Sequence, residues 1–314
     1  MRSAAIKKAR RAINAASRTN AEEEAVVKVG LIPINVGVSD PELIVAIAQK
    51  AEAVGLESIW TYEHAVVPAD YASRYPYSRS GKMPATTPET NFVDPLIALT
   101  FVAAHTKTLR LATGVNILPQ ANPLMAAKQV AALDVLSKGR FMYGVGAGWL
   151  EEEFKAMGVP FEKRGARFDD YLVAMKKVWS GDLVEHESER IHWSGWKSYP
   201  LPVQRPHPPL IIGGSGDAAF RRVVQHGNGW FAPTAGPAQL AELLGKLRAE
   251  AAKVGRDFAT IEITATWFYA GEGVDSIAAY RDLGVSRLVA PLYGLGAPVM
   301  EGLEKLGNDL ARIA

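Results

Sequence analysis

Eight short apolar runs, each followed by a helical stretch, set the tightest limit on how this chain can fold. The runs are KVGLIPIN (28–35), ESIWTY (57–62), LRLATGV (109–115), GRFMYGVG (139–146), PLIIGG (209–214), NGWFAP (228–233), TIEITATW (260–267) and SRLVAP (286–291). Helical patterns fall at 40–54, 93–106, 122–137, 150–157 with 165–180, 217–226, 236–254, 275–283 and 298–312. Strands separated by helices pair in parallel through crossovers. Eight such units predict an α/β fold of the closed (β/α)8 TIM-barrel kind in preference to an open doubly wound sheet. Asp40-Pro41 and Asp94-Pro95 mark two helix starts, each an N-cap followed by a proline at the first helical position.

Two interruptions are long. Residues 63–91, including DYASRYPYSRSGKMP, leave the end of strand two and are too rich in Tyr, Ser, Gly and Pro for a helix. Residues 186–209 read as a hairpin and a proline-stiffened connector before strand five. Insertions of this length in a barrel are usually lids or binding loops.

At 314 residues with 48% hydrophobic side chains, the chain can bury a large core. It has no cysteine, which excludes disulfides, thiolate metal sites and cysteine nucleophiles. The net charge of +2 is misleading, because Arg2, Lys7, Lys8, Arg10, Arg11 and Arg18 crowd the first twenty residues, which hold no acid. Residues 1–27 therefore read as a basic extension and 28–314 as the barrel domain, and without those six bases the rest of the chain is mildly acidic, with 29 Lys and Arg against 33 Asp and Glu. No basic stripe with interleaved aromatics points to nucleic acid, and no stretch is apolar enough to span a membrane. The cytoplasm is the expected setting.

Barrel active sites gather where strands end, so the residues there are the candidates. FMYGVGAGWLEEEF carries Gly144, Gly146 and Gly148 at alternate positions. A dinucleotide fingerprint needs G-x-G-x-x-G, and Trp149 occupies the place of its third glycine, which disfavours a dinucleotide dehydrogenase. Gly213-Gly214-Ser215-Gly216, opening a helix at Asp217, offers free N–H groups and a helix dipole to a phosphate. A helix capped by Ser215 or Asp217 after a tight glycine turn explains the same residues. His64, at the end of strand two, is the first candidate for proton transfer, against a histidine that merely donates to a nearby carbonyl. No histidine has metal-ligand spacing with another or with a carboxylate, so no metal is expected. There is no G-x-S-x-G nucleophile elbow. Arg164 and Arg167 read as ion-paired with Asp169 and Asp170, and Glu151 to Glu153 as stabilising a helix N-terminus. Met125, Leu133 and Leu136 read as core. Trp60, Tyr62 and Trp149 are expected to wall a pocket, with Tyr71, Tyr75, Tyr77, Trp193 and Trp196 adding aromatic surface.

Taken together, GLESIWTYEHAVVP, the stretch from LRLATGVNILPQANP through FMYGVGAGWLEEEFKAMGVPFEKRGARFDDY, and PVQRPHPPLIIGGSGDAAF resemble the bacterial luciferase-like oxidoreductases. SRYPYSRSGKMP further resembles the subgroup that uses the deazaflavin coenzyme F420, as against the FMN-using branch. The resemblance implies hydride transfer between F420 and a small organic substrate. His64 would handle the proton, and Gly114, Val115, Gly144, Gly146 and Gly148 would lie against the ring. Gly213, Gly214, Ser215 and Gly216 would hold the phosphate. It also implies a cis non-prolyl bond at Gly114-Val115 and a homodimer, and in the FMN case a separate cofactor reductase. Ala147 departs from branches that carry a charge there, which weakens FMN binding in the luciferase manner and argues against sugar-phosphate oxidation. The alternatives are an FMN-dependent monooxygenase that consumes oxygen and, from another class, a non-catalytic ligand-binding barrel.

Overall fold

Parallel strands covered by helices on one face and by each other across a barrel are buried on both faces, which is why these strands are nearly continuous apolar runs. The computed structural model describes residues 26–233, 236–296 and 298–313. Almost all of the basic extension expected over 1–27 lies outside them.

The eight expected strands are present: β1 Lys28–Ile32, β2 Ser58–Thr61, β3 Arg110–Thr113, β4 Phe141–Gly146, β5 Leu210–Gly213, β6 Gly229–Ala232, β7 Glu262–Thr266 and β8 Arg287–Pro291. Each pairs in parallel with its neighbours in chain order, and β8 pairs with β1. Between β3 and β4 the register matches Leu111 to Phe141 and Ala112 to Met142, which completes the closed barrel. Asn116–Ile117 adds two residues of parallel pairing beside the end of β4.

Helices α1 Pro41–Ala53, α2 Pro95–His105, α3 Pro123–Leu136, α4 Glu151–Ala156, α5 Arg164–Ser180, α6 Asp217–His226, α7 Pro237–Lys253, α8 Ile277–Asp282 and α9 Val299–Ile313 follow the strands. Asp40 accepts a hydrogen bond from the Glu42 N–H and Asp94 from that of Ile97, as their Asp-Pro sequences predict. Asn122 caps α3 in the same way, ahead of Pro123. The second insertion contains an antiparallel hairpin, Val184–Glu187 with His192–Trp196, followed by a connector with cis Tyr199–Pro200 and Arg205–Pro206 bonds.

Inside the barrel, Ile32, Trp60, Ala112, Met142, Ile211, Phe231 and Val289 form one apolar cluster, with Trp60 stacked on Phe231 at 5.4 Å. Trp60 is therefore an interior filler and not a pocket wall, because the barrel needs its bulk at that level. α3 also corrects an expectation. Leu133 is buried, but Met125 and Leu136 are 55% and 63% exposed. Those two lie three turns apart on one face, whereas the face against the barrel is made of Ala126, Ala127, Val130 and Ala131. Small side chains bring the helix close to the sheet and leave the larger ones outside.

Below the apolar cluster, the N-terminal end of the barrel is closed by charge. Arg287 is fully buried and donates to both Glu57 oxygens at 2.7 and 2.8 Å, to Glu262 at 3.0 Å and to Thr264 at 3.2 Å. Burial would raise the Glu57 carboxyl, but the hydrogen bonds and charge of Arg287 outweigh it and hold it below its ordinary value. A carboxylate lowered in this way contributes stability above its unfolded-state pKa and loses it as pH falls through the lower folded value. We expect Glu57→Gln to cost about 3–5 kcal/mol in urea unfolding at neutral pH, because it strips a buried cation of a partner. The difference from the parent chain should shrink at acid pH.

Candidate active site

The mouth is built where the ends of β2, β3, β4 and β5 meet, and glycines allow the chain segments to touch. A Cβ on Gly144 would lie 1.7 Å from the Thr113 carbonyl oxygen, so only glycine fits beside the end of β3. The Thr113 hydroxyl donates to the Gly144 carbonyl at 2.6 Å across the same gap. The next peptide bond, Gly114–Val115, is cis, as the family resemblance implies. Val115 then turns its side chain into two notches. A Cβ on Gly146 would come within 2.6 Å of its Cγ2, and one on Gly213 within 2.8 Å of its Cγ1. Gly148 has φ +78°, and a Cβ there would meet Ile117 and Phe154, each at 2.7 Å.

The space that these glycines leave is thus filled by Thr113, Val115, Ile117 and Phe154. Half-buried Val115, packed with Tyr62 on the interior cluster, presents the apolar surface at this point of the mouth.

On the β5 side, Gly214 has φ +110° and its carbonyl accepts from the Trp230 indole N–H at 2.7 Å. The N-cap of α6 is Gly216, and neither Ser215 nor Asp217 caps the helix through its side chain. Nothing lies within 4 Å of the position a Gly216 Cβ would take. Ala219 N–H is bonded to the Gly216 carbonyl at 2.8 Å, and the Asp217 and Ala218 N–H groups that open this ten-residue helix have no side-chain cap.

His64 stands just beyond the end of β2. Its Nδ1 lies 3.0 Å from Oε2 of Glu153, and the two side chains are 11% and 2% exposed. Phe92 and Trp149 meet the imidazole edge-on, with centroids at 5.4 and 6.0 Å. Glu63 next to it accepts from the Ile117 N–H just beyond Val115. Burial pushes the Glu63 carboxyl up to about 7, against the lowering effect of the Ile117 and Asn116 hydrogen bonds and with help from Glu153. Asn116 Oδ1 is a buried acceptor with no hydrogen-bond partner. Beneath the histidine, buried Asn35 accepts from Tyr62 N–H and donates to the carbonyls of Tyr62 and Val93, tying the end of β2 to the approach to α2.

The long loop after β2 is fastened across this mouth. Glu152 accepts from the N–H groups of Ala72 and Ser73 at 2.7 and 3.2 Å, and the Ser73 hydroxyl accepts from Glu151 N–H at 3.0 Å. Burial would raise the Glu152 carboxyl, but the Ser73 side chain and the N–H groups of Glu152, Ala72 and Ser73 take it down to about 2. Tyr71 and Tyr75 pack on Trp149, Tyr77 packs on Tyr75, and the Tyr77 hydroxyl reaches toward Gly214. Burial raises the phenols of Tyr62, Tyr75 and Tyr77, with Tyr75 pushed up to about 12, so all three keep their protons at neutral pH.

Glu153, Glu63, Asn35 and Asn116 are site residues that the sequence reading did not assign. Arg164 and Arg167 are not paired with Asp169 and Asp170. They donate to the carbonyls of Gly148 and Pro119, while Asp169 binds Arg222 and Asp170 accepts from His186 and Ser188. The two arginines lie on the side of α5 that faces the loops after β3 and β4, and the aspartates face α6 and the hairpin. Trp193 and Trp196 pack on each other in that hairpin. Among the described residues no group of three or more His, Asp or Glu side chains is placed to hold a metal ion, and no helix is long and apolar enough to cross a membrane.

Comparison with known proteins agrees with this architecture. The profile of the family described as luciferase-like monooxygenase matches residues 17–275. An uncharacterized Mycobacterium tuberculosis protein is 31% identical over 186 residues, 59% of this chain and 65% of its own length, so the match spans just under two thirds of that relative. The FMNH(2)-dependent dimethylsulfone monooxygenase of Pseudomonas putida is 33% identical over 113 residues, 35% of this chain and 31% of that enzyme. Among solved structures, an F420-dependent secondary alcohol dehydrogenase in complex with an F420-acetone adduct superposes with a TM-score of 0.73 at 16% identity, covering 92% of this chain and 99% of the other.

Gly144→Ala forces a side chain into a backbone carbonyl and should cost about 1–3 kcal/mol or more of stability. Gly216→Ala, with open space around it, should leave the denaturant midpoint nearly unchanged. Glu63 has a raised carboxyl, the reverse of the Glu57 case, so its ionisation opposes folding and stability should fall as pH rises from about 4.5 toward 7. Glu63→Gln should flatten that part of the urea-stability profile.

Proposed function

This chain belongs to the luciferase-like monooxygenase family and is an oxidoreductase of that family, and on that footing we propose that it moves a hydride between coenzyme F420 and a small organic substrate. The observation that carries the reading is the mouth itself. An apolar support at Val115, a helix start at Gly213–Gly216 without a side-chain cap and a histidine beyond the end of β2 suit a planar ring that carries a phosphate. The orphaned Asn116 Oδ1 adds an unused acceptor nearby for a ring N–H.

In this reading Val115 bears the ring, and Gly114, Gly144, Gly146 and Gly148 allow the chain to place it there. Gly213, Gly214, Ser215 and Gly216 receive the phosphate through N–H groups and one hydroxyl. The cofactor supplies the hydride chemistry when bound, and the protein supplies orientation, a proton and exclusion of water. His64 handles the proton. Trp149, Tyr71, Tyr75 and Tyr77 cover the mouth and offer the substrate apolar walls with phenol tips. F420 is favoured over FMN by the SRYPYSRSGKMP loop and by Ala147, which puts no cation beside the phosphate. The F420-dependent structural neighbour is consistent with it.

The similarity to an FMNH(2)-dependent monooxygenase favours a second reading, an FMN-dependent monooxygenase. Fluorescence titration with F420 and with FMN separates the two. The expected result is a preference for F420 by at least about ten-fold, and a similar loss in Ser215→Asp, which sets a carboxylate against the phosphate. Preference for FMN would move the function to oxygen-dependent monooxygenation, and binding of neither would leave a barrel without this chemistry.

A further inference from the structure

We propose that Glu153 is a positioning residue that fixes His64 with its proton on Nδ1, leaving Nε2 as a bare acceptor at the barrel mouth. What Nε2 meets depends on the redox reading above, whereas the tautomer is a property of the chain alone.

Both carboxylate oxygens of Glu153 are committed. Oε1 accepts from Ala65 N–H at 2.6 Å and lies 3.4 Å from Val66 N, and Oε2 is 3.0 Å from His64 Nδ1. Glu153 sits in the first turn of α4 and is almost fully buried. Two backbone N–H groups converge on Oε1, which is how a carboxylate is held, and a carboxylate has only acceptor sites. The proton in the 3.0 Å contact therefore belongs to Nδ1.

Nε2 is the other half of the inference. It makes no hydrogen bond to any described residue, and it is not among the buried atoms lacking a partner, so it remains open at the mouth. Phe92 and Trp149, packed edge-on to the ring, hold its plane. A neutral ring held this way can take a proton at Nε2 from a group in the mouth, and the imidazolium so formed, stabilised by Glu153, can return it.

The carboxylate cannot be replaced by its isosteric amide without reversing the ring. An amide has one acceptor oxygen and one donor NH2 group. If that oxygen stays on the Ala65 N–H, the NH2 faces Nδ1, which must then accept, and the ring proton moves to Nε2. Glu153→Gln thus converts the open nitrogen from acceptor to donor with almost no change in shape.

Long-range 1H–15N spectra of the full chain, labelled with 15N in the histidine rings, read this directly at about pH 8.5, above the ordinary imidazole range near about 6.5. His64→Gln identifies the His64 signals among the six histidines. The expected result is a protonated-type shift at Nδ1 and an unprotonated-type shift at Nε2, exchanged in Glu153→Gln while the circular dichroism spectrum is unchanged. A parent spectrum with the proton on Nε2 overturns the proposal, and so does a folded Glu153→Gln that keeps the parent pattern. If the variant does not fold, the parent spectrum decides alone. Repeating the measurement with F420 added keeps the two ideas apart, since failure of F420 to bind would sink the cofactor reading and leave the tautomer standing.

Discussion

The contact between the ends of β3 and β4 is the constraint on which the rest of this structure depends. A barrel of eight strands closes only if every neighbouring pair reaches hydrogen-bonding distance, and this pair is in register only at Leu111–Phe141 and Ala112–Met142. Immediately beyond, the Thr113 carbonyl occupies the place where any residue but glycine at 144 would put its Cβ. The same approach swings Val115 into the notches at Gly146 and Gly213, so the packing that seals the barrel also lays down the surface of the mouth. Stability and site share these glycines, and a change that relieves one must disturb the other.

The interior is divided by level. Arg287 with Glu57, Glu262 and Thr264 closes the lower end, the stacked Trp60 and Phe231 fill the middle, and Val115 with Tyr62 caps the top. Charge at the bottom is tolerated because each guanidinium nitrogen has an acceptor, three of the four contacts being to carboxylate oxygens. The apolar middle separates that network from the mouth. Glu63 at the top meets the charges of Glu153 and Asp94, and burial pushes it up where Arg287 holds Glu57 down.

The barrel was legible in the sequence because both faces of every strand are buried, which leaves a run of apolar residues that periodicity detects. Helix starts were legible because Asp-Pro carries its own local chemistry. What escaped were contacts between segments far apart in the chain. Glu153 lies 89 residues from His64, and nothing local in WLEEEF distinguishes it from Glu151, which pairs with Lys155 one turn on. Reading Arg164 and Arg167 against the nearest acids failed for the same reason, since the direction a side chain takes from a helix depends on what packs there. Met125 and Leu136 misled because hydrophobic spacing identifies a face without saying whether alanines on the opposite face have taken the core.

Three consecutive glutamates at the start of α4 do three different things, and their order matters to the site. Glu151 pairs along the helix surface, Glu152 holds the amides of Ala72 and Ser73, and Glu153 holds His64 together with the amide of Ala65. The histidine and the covering loop are therefore fastened to adjacent residues of one short helix. Any shift of α4 would move the imidazole and the Tyr71–Tyr75–Trp149 aromatic cluster together, so the His64 ring keeps its relation to the aromatic wall packed beside it. That coupling gives an acidic run a role beyond helix stability, because its carboxylates accept from backbone N–H groups of the covering loop and hold the His64 ring.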